Sequence, residues 1–211
     1  MLVYPDHHLA TLMRGKFMQY SKAAFILAAT LLVFFATIPD ANAGSIVDHA
    51  TKAEALLESG KSVEAISELD AAMEVIWSAS PLVFRKVLFV KQSTGYGLYV
   101  ERGNQTFKPD EPLLIYVEPI GYGYGDDGTG GNEISLAVDF VLTDGNGKEL
   151  FSKDDFITLG TPLRYHNREF HLDLSINLTG MPEGSYVGKY HIRDLHSDKS
   201  GDFELPFEVA G

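Results

Sequence analysis

The chain has no cysteine. That excludes disulfide staples, thiol nucleophiles, thiolate metal sites and a lipid-modified cysteine, so the hydrophobic core alone must hold the fold. Basic residues are scarce: 17 Lys and Arg stand against 29 Asp and Glu, for a formal net charge of −12. Such an acidic surface disfavours nucleic acid and anionic lipid as partners. Catalytic signatures are missing as well. No serine stands in G-x-S-x-G, no phosphate-binding G-x-x-x-x-G-K-[ST] occurs, and the histidines show no H-x-H or H-x-x-x-H spacing. Nothing calls for a cofactor.

Long apolar runs are limited to AAFILAATLLVFFATI, residues 23–38, which at 16 residues falls short of the roughly 18 expected of a spanning helix. Arg14, Lys16 and Lys22 precede it, Pro39 ends it, and Ala41-Asn42-Ala43 fits a small-x-small cleavage pattern. The expectation is a signal peptide over residues 1–43, export to the periplasm or beyond, and no membrane insertion after cleavage. The alternative is a leader retained as an anchor. Removing a leader with three basic and two acidic residues takes the charge from −12 to −13. About 168 residues remain, enough for one domain with an appendage.

Residues 45–77 carry helical periodicity. Val63, Ile66, Leu69, Met73 and Ile76 draw an apolar stripe along a second helix, and Ala53, Leu56 and Leu57 do so on a first. Gly60 separates the two, and Ser62 is placed to cap the second. The stretch GKSVEAISELDAAMEVIW resembles the second half of a tetratricopeptide repeat, with Gly60, Glu64, Ala65, Ile66, Leu69 and Ala72 at the turn and packing positions. His49 stands where that family has a large aromatic, and Trp77 where it has proline. One repeat lacks the tandem copies that form a peptide groove. The expectation for residues 44–80 is therefore a hairpin that buries its stripe on the neighbouring domain, or on a second copy through self-association.

From Pro81 the period becomes two. Ile134, Leu136, Val138, Phe140 and Leu142 alternate with Glu133, Ser135, Ala137, Asp139 and Val141; Phe170, Leu172, Leu174, Ile176 and Leu178, and Phe203, Leu205, Phe207 and Val209, alternate in the same way. Further strands are expected at 84–92, 96–102, 112–120, 148–157 and 186–194, making about eight. Pro206 argues for an edge position, and Asp144-Gly145-Asn146-Gly147 for a tight hairpin. The stretch LTGMPEGSYVGKYHIRD resembles the late strands of immunoglobulin-like and fibronectin-like modules, in which a tyrosine, here Tyr186, anchors the corner. The resemblance implies an antiparallel immunoglobulin-like β-sandwich over residues 81–211, a mainly β protein preceded by an α-helical hairpin. This combination is similar to that of exported bacterial envelope proteins.

The segment GYGYGDDGTGG, residues 121–131, is too long for an ordinary hairpin loop. Tyrosine gives contact area at low entropic cost and glycine lets a loop adapt. Tyr122, Tyr124, Asp126 and Asp127, with Tyr96 and Tyr99 of STGYGLYVE as neighbours, are the candidate contact residues for a protein, peptide or glycan. A structural turn and a calcium loop are the competing readings, the latter without the D-x-[DN]-x-[DN]-G pattern. A zinc site would need His171 and His191 on adjacent strands. An enzyme would be a hydrolase acting on an envelope polymer with carboxylates such as Asp154 and Asp155, which no sequence spacing reveals.

Overall fold

A computed structural model describes residues 41–177 and 179–211, which fall within one compact unit. The expected signal peptide, up to residue 40, lies outside the described residues. Helix α1 spans Ala41–Glu58 and α2 spans Ser62–Ala79. Gly60 has φ +75°, the left-handed conformation that lets the chain reverse between them. Ser62 is the first residue of α2 rather than its cap; Lys61 takes the cap position without a side-chain bond.

The hairpin closes through small residues. Ala53 on α1 and Ala65 and Ala72 on α2 are buried, and His49 Nδ1 lies 2.6 Å from Glu68 Oε2 across the pair. The expected apolar stripe is not buried on the neighbouring sheets. Exposure runs from 76 % at Val63 through Ile66, Leu69 and Met73 to 43 % at Ile76. The reason is geometric: alanines draw α1 against one flank of α2, and Trp77 anchors the other at its C-terminal end. The face between them points to solvent.

Ten strands follow: β1 Val83–Gly95, β2 Leu98–Glu101, β3 Thr106–Phe107, β4 Leu113–Ile120, β5 Gly125–Asp126, β6 Asn132–Asp144, β7 Glu149–Leu163, β8 Leu172–Ile176, β9 Gly184–Asp194 and β10 Ser200–Val209. They make a four-stranded sheet ordered β2-β1-β4-β8 and a six-stranded sheet ordered β3-β10-β9-β6-β5, with β7 also paired to β6. All pairings are antiparallel except β10 with β3. The eight expected strands are present, and the two-residue β3 and β5 are additions too short to carry a period. Pro206 sits where β10 is bonded to β9 alone, because β3 reaches only Glu208 and Val209.

Both sheets feed one core. Leu113, Ile115 and Val117 from β4 and Leu172 and Leu174 from β8 join Ile134, Leu136, Val138 and Ile192 from the other sheet. Alternation sets this arrangement: the residues between them, Leu114, Tyr116, Glu118 and Asp173, fall on the outer side of the four-stranded sheet. Tyr186 donates from its hydroxyl to Pro182 O at 2.8 Å, tying the entry of β9 to the turn before it. The β6–β7 turn closes as expected, with Asp144 Oδ1 accepting from the amides of Asn146 and Lys148.

Candidate recognition site

Two tyrosine-glycine segments supply the six sequence candidates, and they lie in different surroundings. The first begins at Gly121, whose φ of +82° and approach to Pro81 admit only glycine: an added Cβ would sit 2.3 Å from Pro81 O. This approach carries the Tyr122 carbonyl to Trp77, whose Nε1 donates to it at 2.8 Å. Lys199 Nζ donates to Gly121 O at 2.7 Å.

Tyr122 is 1 % exposed. Its ring meets Trp77 edge-on at 5.0 Å and Phe170 at 5.6 Å, and its hydroxyl donates to Asn167 O at 2.7 Å. Tyr124 stacks on His166 at 4.0 Å with planes 5° apart and donates to the same carbonyl at 2.9 Å. Burial pushes the Tyr122 phenol far above its ordinary range and the Tyr124 phenol up to about 12. The Tyr122 ring therefore offers a partner no surface. It is the floor of the joint between α2 and the sheets, which Arg168 reinforces by reaching Glu74 Oε2 at 3.1 Å.

The rest of that segment is a small hairpin. Strand β5 pairs with the start of β6, and Asp127 N donates to Gly131 O at 3.2 Å. Asp126 Oδ1 accepts from the Gly128 amide at 2.7 Å. Asp127 Oδ1 accepts from the amides of Thr129 and Gly131 and from the Thr129 hydroxyl, at 2.7, 2.9 and 2.8 Å. The Thr129 bonds, and then that of Gly131, lower the Asp127 carboxyl from its ordinary value. These aspartates satisfy the backbone of a tight turn.

The second segment is a flap. Strand β1 pairs with β4 as far as Phe89 and with β2 from Val90 onward, with register breaks between Val90 and Gln92 and between Ser93 and Gly95. Its tip returns over the outer side of the four-stranded sheet. Arg85 Nη1 donates to the Tyr96 hydroxyl at 2.6 Å, Lys86 Nζ to the Tyr99 hydroxyl at 2.7 Å, and Gly97 N to the Tyr116 hydroxyl at 2.7 Å. Tyr99 lies on Tyr116 at 4.5 Å, and Tyr116 stacks on His171 at 5.4 Å.

Tyr116 is fully buried although it occupies the outer side of its strand, because the flap roofs it. Burial pushes its phenol up to about 12, and its hydroxyl donates to Glu118 Oε1 at 3.0 Å. The hydrogen bond to Tyr99 raises the Lys86 ammonium from its ordinary value. On the flap's free side Leu98 is 63 % exposed and Val100 52 %. Tyr96 and Tyr99, half-buried, are thus fixed in orientation beside an open apolar edge.

Arg85 and Lys86 hold the flap, and Tyr116, Glu118, His171 and Asp173 lie on the sheet side beneath or beside it; none of the six was a sequence candidate for partner contact, His171 having entered only as a zinc ligand. The one available signal is that Tyr116 and Glu118 alternate with Ile115 and Val117, an aromatic and an acid on the side expected to face water. His171 immediately precedes β8 of the four-stranded sheet and His191 lies on β9 of the six-stranded sheet, so the two are not on adjacent strands as a shared zinc would need. Asp155 and Asp139 both receive Arg193 Nη2, at 2.6 and 3.0 Å, as a surface ion-pair cluster. The Arg193 bonds come first in lowering the Asp139 carboxyl. Asp154 lies on an exposed part of β7.

No family model matches this sequence, and no curated protein is similar to it.

Proposed function

We propose that the chain is a non-enzymatic, exported binding module of the cell envelope: an immunoglobulin-like sandwich with a tetratricopeptide-like hairpin. It recognises a protein, peptide or glycan through the flap rather than through the 121–131 segment. The carrying observation is the flap itself, where Leu98 and Val100 stand exposed beside tyrosines pinned by Arg85 and Lys86. Holding an aromatic and apolar edge in one conformation reduces the ordering cost of binding. The Tyr186 corner supports the immunoglobulin-like reading of the sheets, and the apolar run before Ala41-Asn42-Ala43 supports export. The test is capture by the immobilised chain from an envelope extract. A Leu98→Ser, Val100→Ser variant is expected to lose the captured species with its melting temperature unchanged; undiminished capture would overturn the flap as the contact.

A second reading is self-association through α2. Five large apolar side chains in one exposed row are more than scattered surface hydrophobics. Light scattering behind size exclusion is expected to show a dimer that Leu69→Asp with Met73→Asp converts to a monomer. A monomeric wild type across the micromolar range would end this reading.

A further inference from the structure

Strand β2 is the outermost strand of the four-stranded sheet and pairs with β1 alone. In an antiparallel ladder the N–H and C=O of one residue point to the same side, and successive residues alternate. Arg102 N donates to Phe89 O at 3.0 Å, and Leu98 O accepts from Thr94 Oγ1 at 3.4 Å, so Leu98, Val100 and Arg102 turn their backbone toward β1. Both register breaks fall where β1 carries the extra residue, which leaves the alternation of β2 intact. The N–H and C=O groups of Tyr99 and Glu101 therefore point outward, where no strand meets them.

The other outer strands are blunted against such pairing. Strand β7 carries Lys153, Asp154 and Asp155 at a register break, with Asp155 at φ +49°, and Pro162 further on. Strand β10 contains Pro206 and is sealed at Glu208 and Val209 by β3. Strand β8 alternates Asp173 and Ser175 with buried Leu172, Leu174 and Ile176, so its exposed side chains are polar. By contrast, β2 has no proline, no lysine and no bulge of its own, and it exposes Leu98 and Val100, which alternation puts on one face. Only its length of four residues limits pairing.

We propose that the outer edge of β2 takes up an extended polypeptide segment as a fifth strand, with apolar residues beside Leu98 and Val100 and a lysine or arginine beside Glu101. This rests on the flap as the binding element and narrows its partner to a protein or peptide. An extended chain repeats its N–H and C=O groups at the spacing of Tyr99 and Glu101, and the hydroxyls of a glycan do not. Charge sets the remaining preference. Glu101 is exposed and forms no ion pair among the described residues, in a chain of net charge −12, so a basic side chain is favoured opposite it.

The test is hydrogen exchange of the purified chain, followed amide by amide, with a soluble peptide of alternating valine and threonine ending in lysines as the probe. In the free chain the Tyr99 and Glu101 amides should exchange roughly tenfold or more faster than that of Arg102, which β1 holds. At millimolar peptide both should slow a few-fold, because main-chain pairing draws on no particular sequence. The matching depsipeptide, in which esters replace the amides, keeps the side chains and loses the donors; it should slow neither. Glu101→Pro removes the outward N–H, leaves the bonds to β1, and should abolish the slowing at Tyr99 with the melting temperature unchanged. Glu101→Gln should weaken the peptide by about two- to threefold, the scale of an exposed ion pair.

Unslowed exchange at Tyr99 and Glu101, equal slowing by the depsipeptide, or slowing by chitohexaose in place of the peptide overturns strand addition. A dimer that Glu101→Pro converts to a monomer overturns it as well, by making a second copy the occupant. Capture from the envelope extract separates the edge from the flap. If Leu98→Ser with Val100→Ser abolishes capture and Glu101→Pro leaves it intact, the added strand falls and the flap stands; if the serine variant captures normally, both fall.

Discussion

Gly95-Tyr96-Gly97 and Gly121-Tyr122-Gly123-Tyr124-Gly125 are nearly the same letters put to opposite uses. In the second, glycine permits close approach: the backbone at Gly121 passes under Pro81, and the tyrosines sink behind it to meet Trp77 and His166. In the first, glycine only permits a turn. Gly97 has φ +71° with open space around it, and the adjacent rings stay at the surface, oriented by Arg85 and Lys86. The lesson is that a tyrosine-glycine stretch becomes joint or contact according to what the rest of the chain brings to it. Here Trp77 and Lys199 come to one and bury it, whereas Arg85 and Lys86 come to the other and hold it at the surface.

The largest expected effect tests the joint. Trp77→Ala removes a buried indole and the donor to Tyr122 O, and should cost about 3–5 kcal/mol in urea unfolding. A loss under about 1 kcal/mol would mean that the hairpin is not fastened by this side chain. The matched glycines come next. Both Gly121→Ala and Gly97→Ala place a side chain at positive φ, at roughly 1–2 kcal/mol. Only Gly121→Ala adds a clash with backbone, so it should exceed its counterpart clearly. Equal costs would erase the distinction between close approach and simple turn.

A smaller effect appears in alkali. Burial raises the phenols of Tyr116, Tyr122 and Tyr124 in the folded chain, so folding favours their neutral forms. Their contribution is complete below the unfolded value of about 10 and is lost as pH rises from there toward the folded values. Tyr122→Phe should cost about 1 kcal/mol at neutral pH through the bond to Asn167 O and should flatten the decline in stability between about pH 10 and 12. An unchanged slope in the urea midpoint would show that the ring is not shielded. Smallest of all, Leu98→Ser with Val100→Ser should change stability by no more than about 0.5 kcal/mol, while removing partner capture.

Legibility followed periodicity. The strands of the core announced themselves because burial on one side imposes a period of two, as Ile134 through Leu142 display. The helices were equally plain, but the destination of the α2 stripe was not. Periodicity shows which residues share a face and is silent on whether a neighbour covers it, and here Ala65 and Ala72 did the packing instead. The candidate residues divided for a similar reason. Tyr122 and Tyr96 have indistinguishable local sequence, and only contacts with Trp77, Asn167 and Phe170, all far along the chain, separate them. Tyr116 was missed because the flap that buries it depends on a register break near Val90, which no residue type marks.

The joint also has a temporal side. Trp77 is satisfied by Tyr122, and Lys199 closes over both through the carbonyls of Gly121, at 2.7 Å, and Trp77, at 3.4 Å. A chain synthesised from its N-terminus makes the indole more than a hundred residues before that lysine. Contacts so distant in sequence form late, since loop closure must precede them. During that interval the hairpin is complete but undocked, with both its stripe and its tryptophan open to whatever meets the nascent chain first.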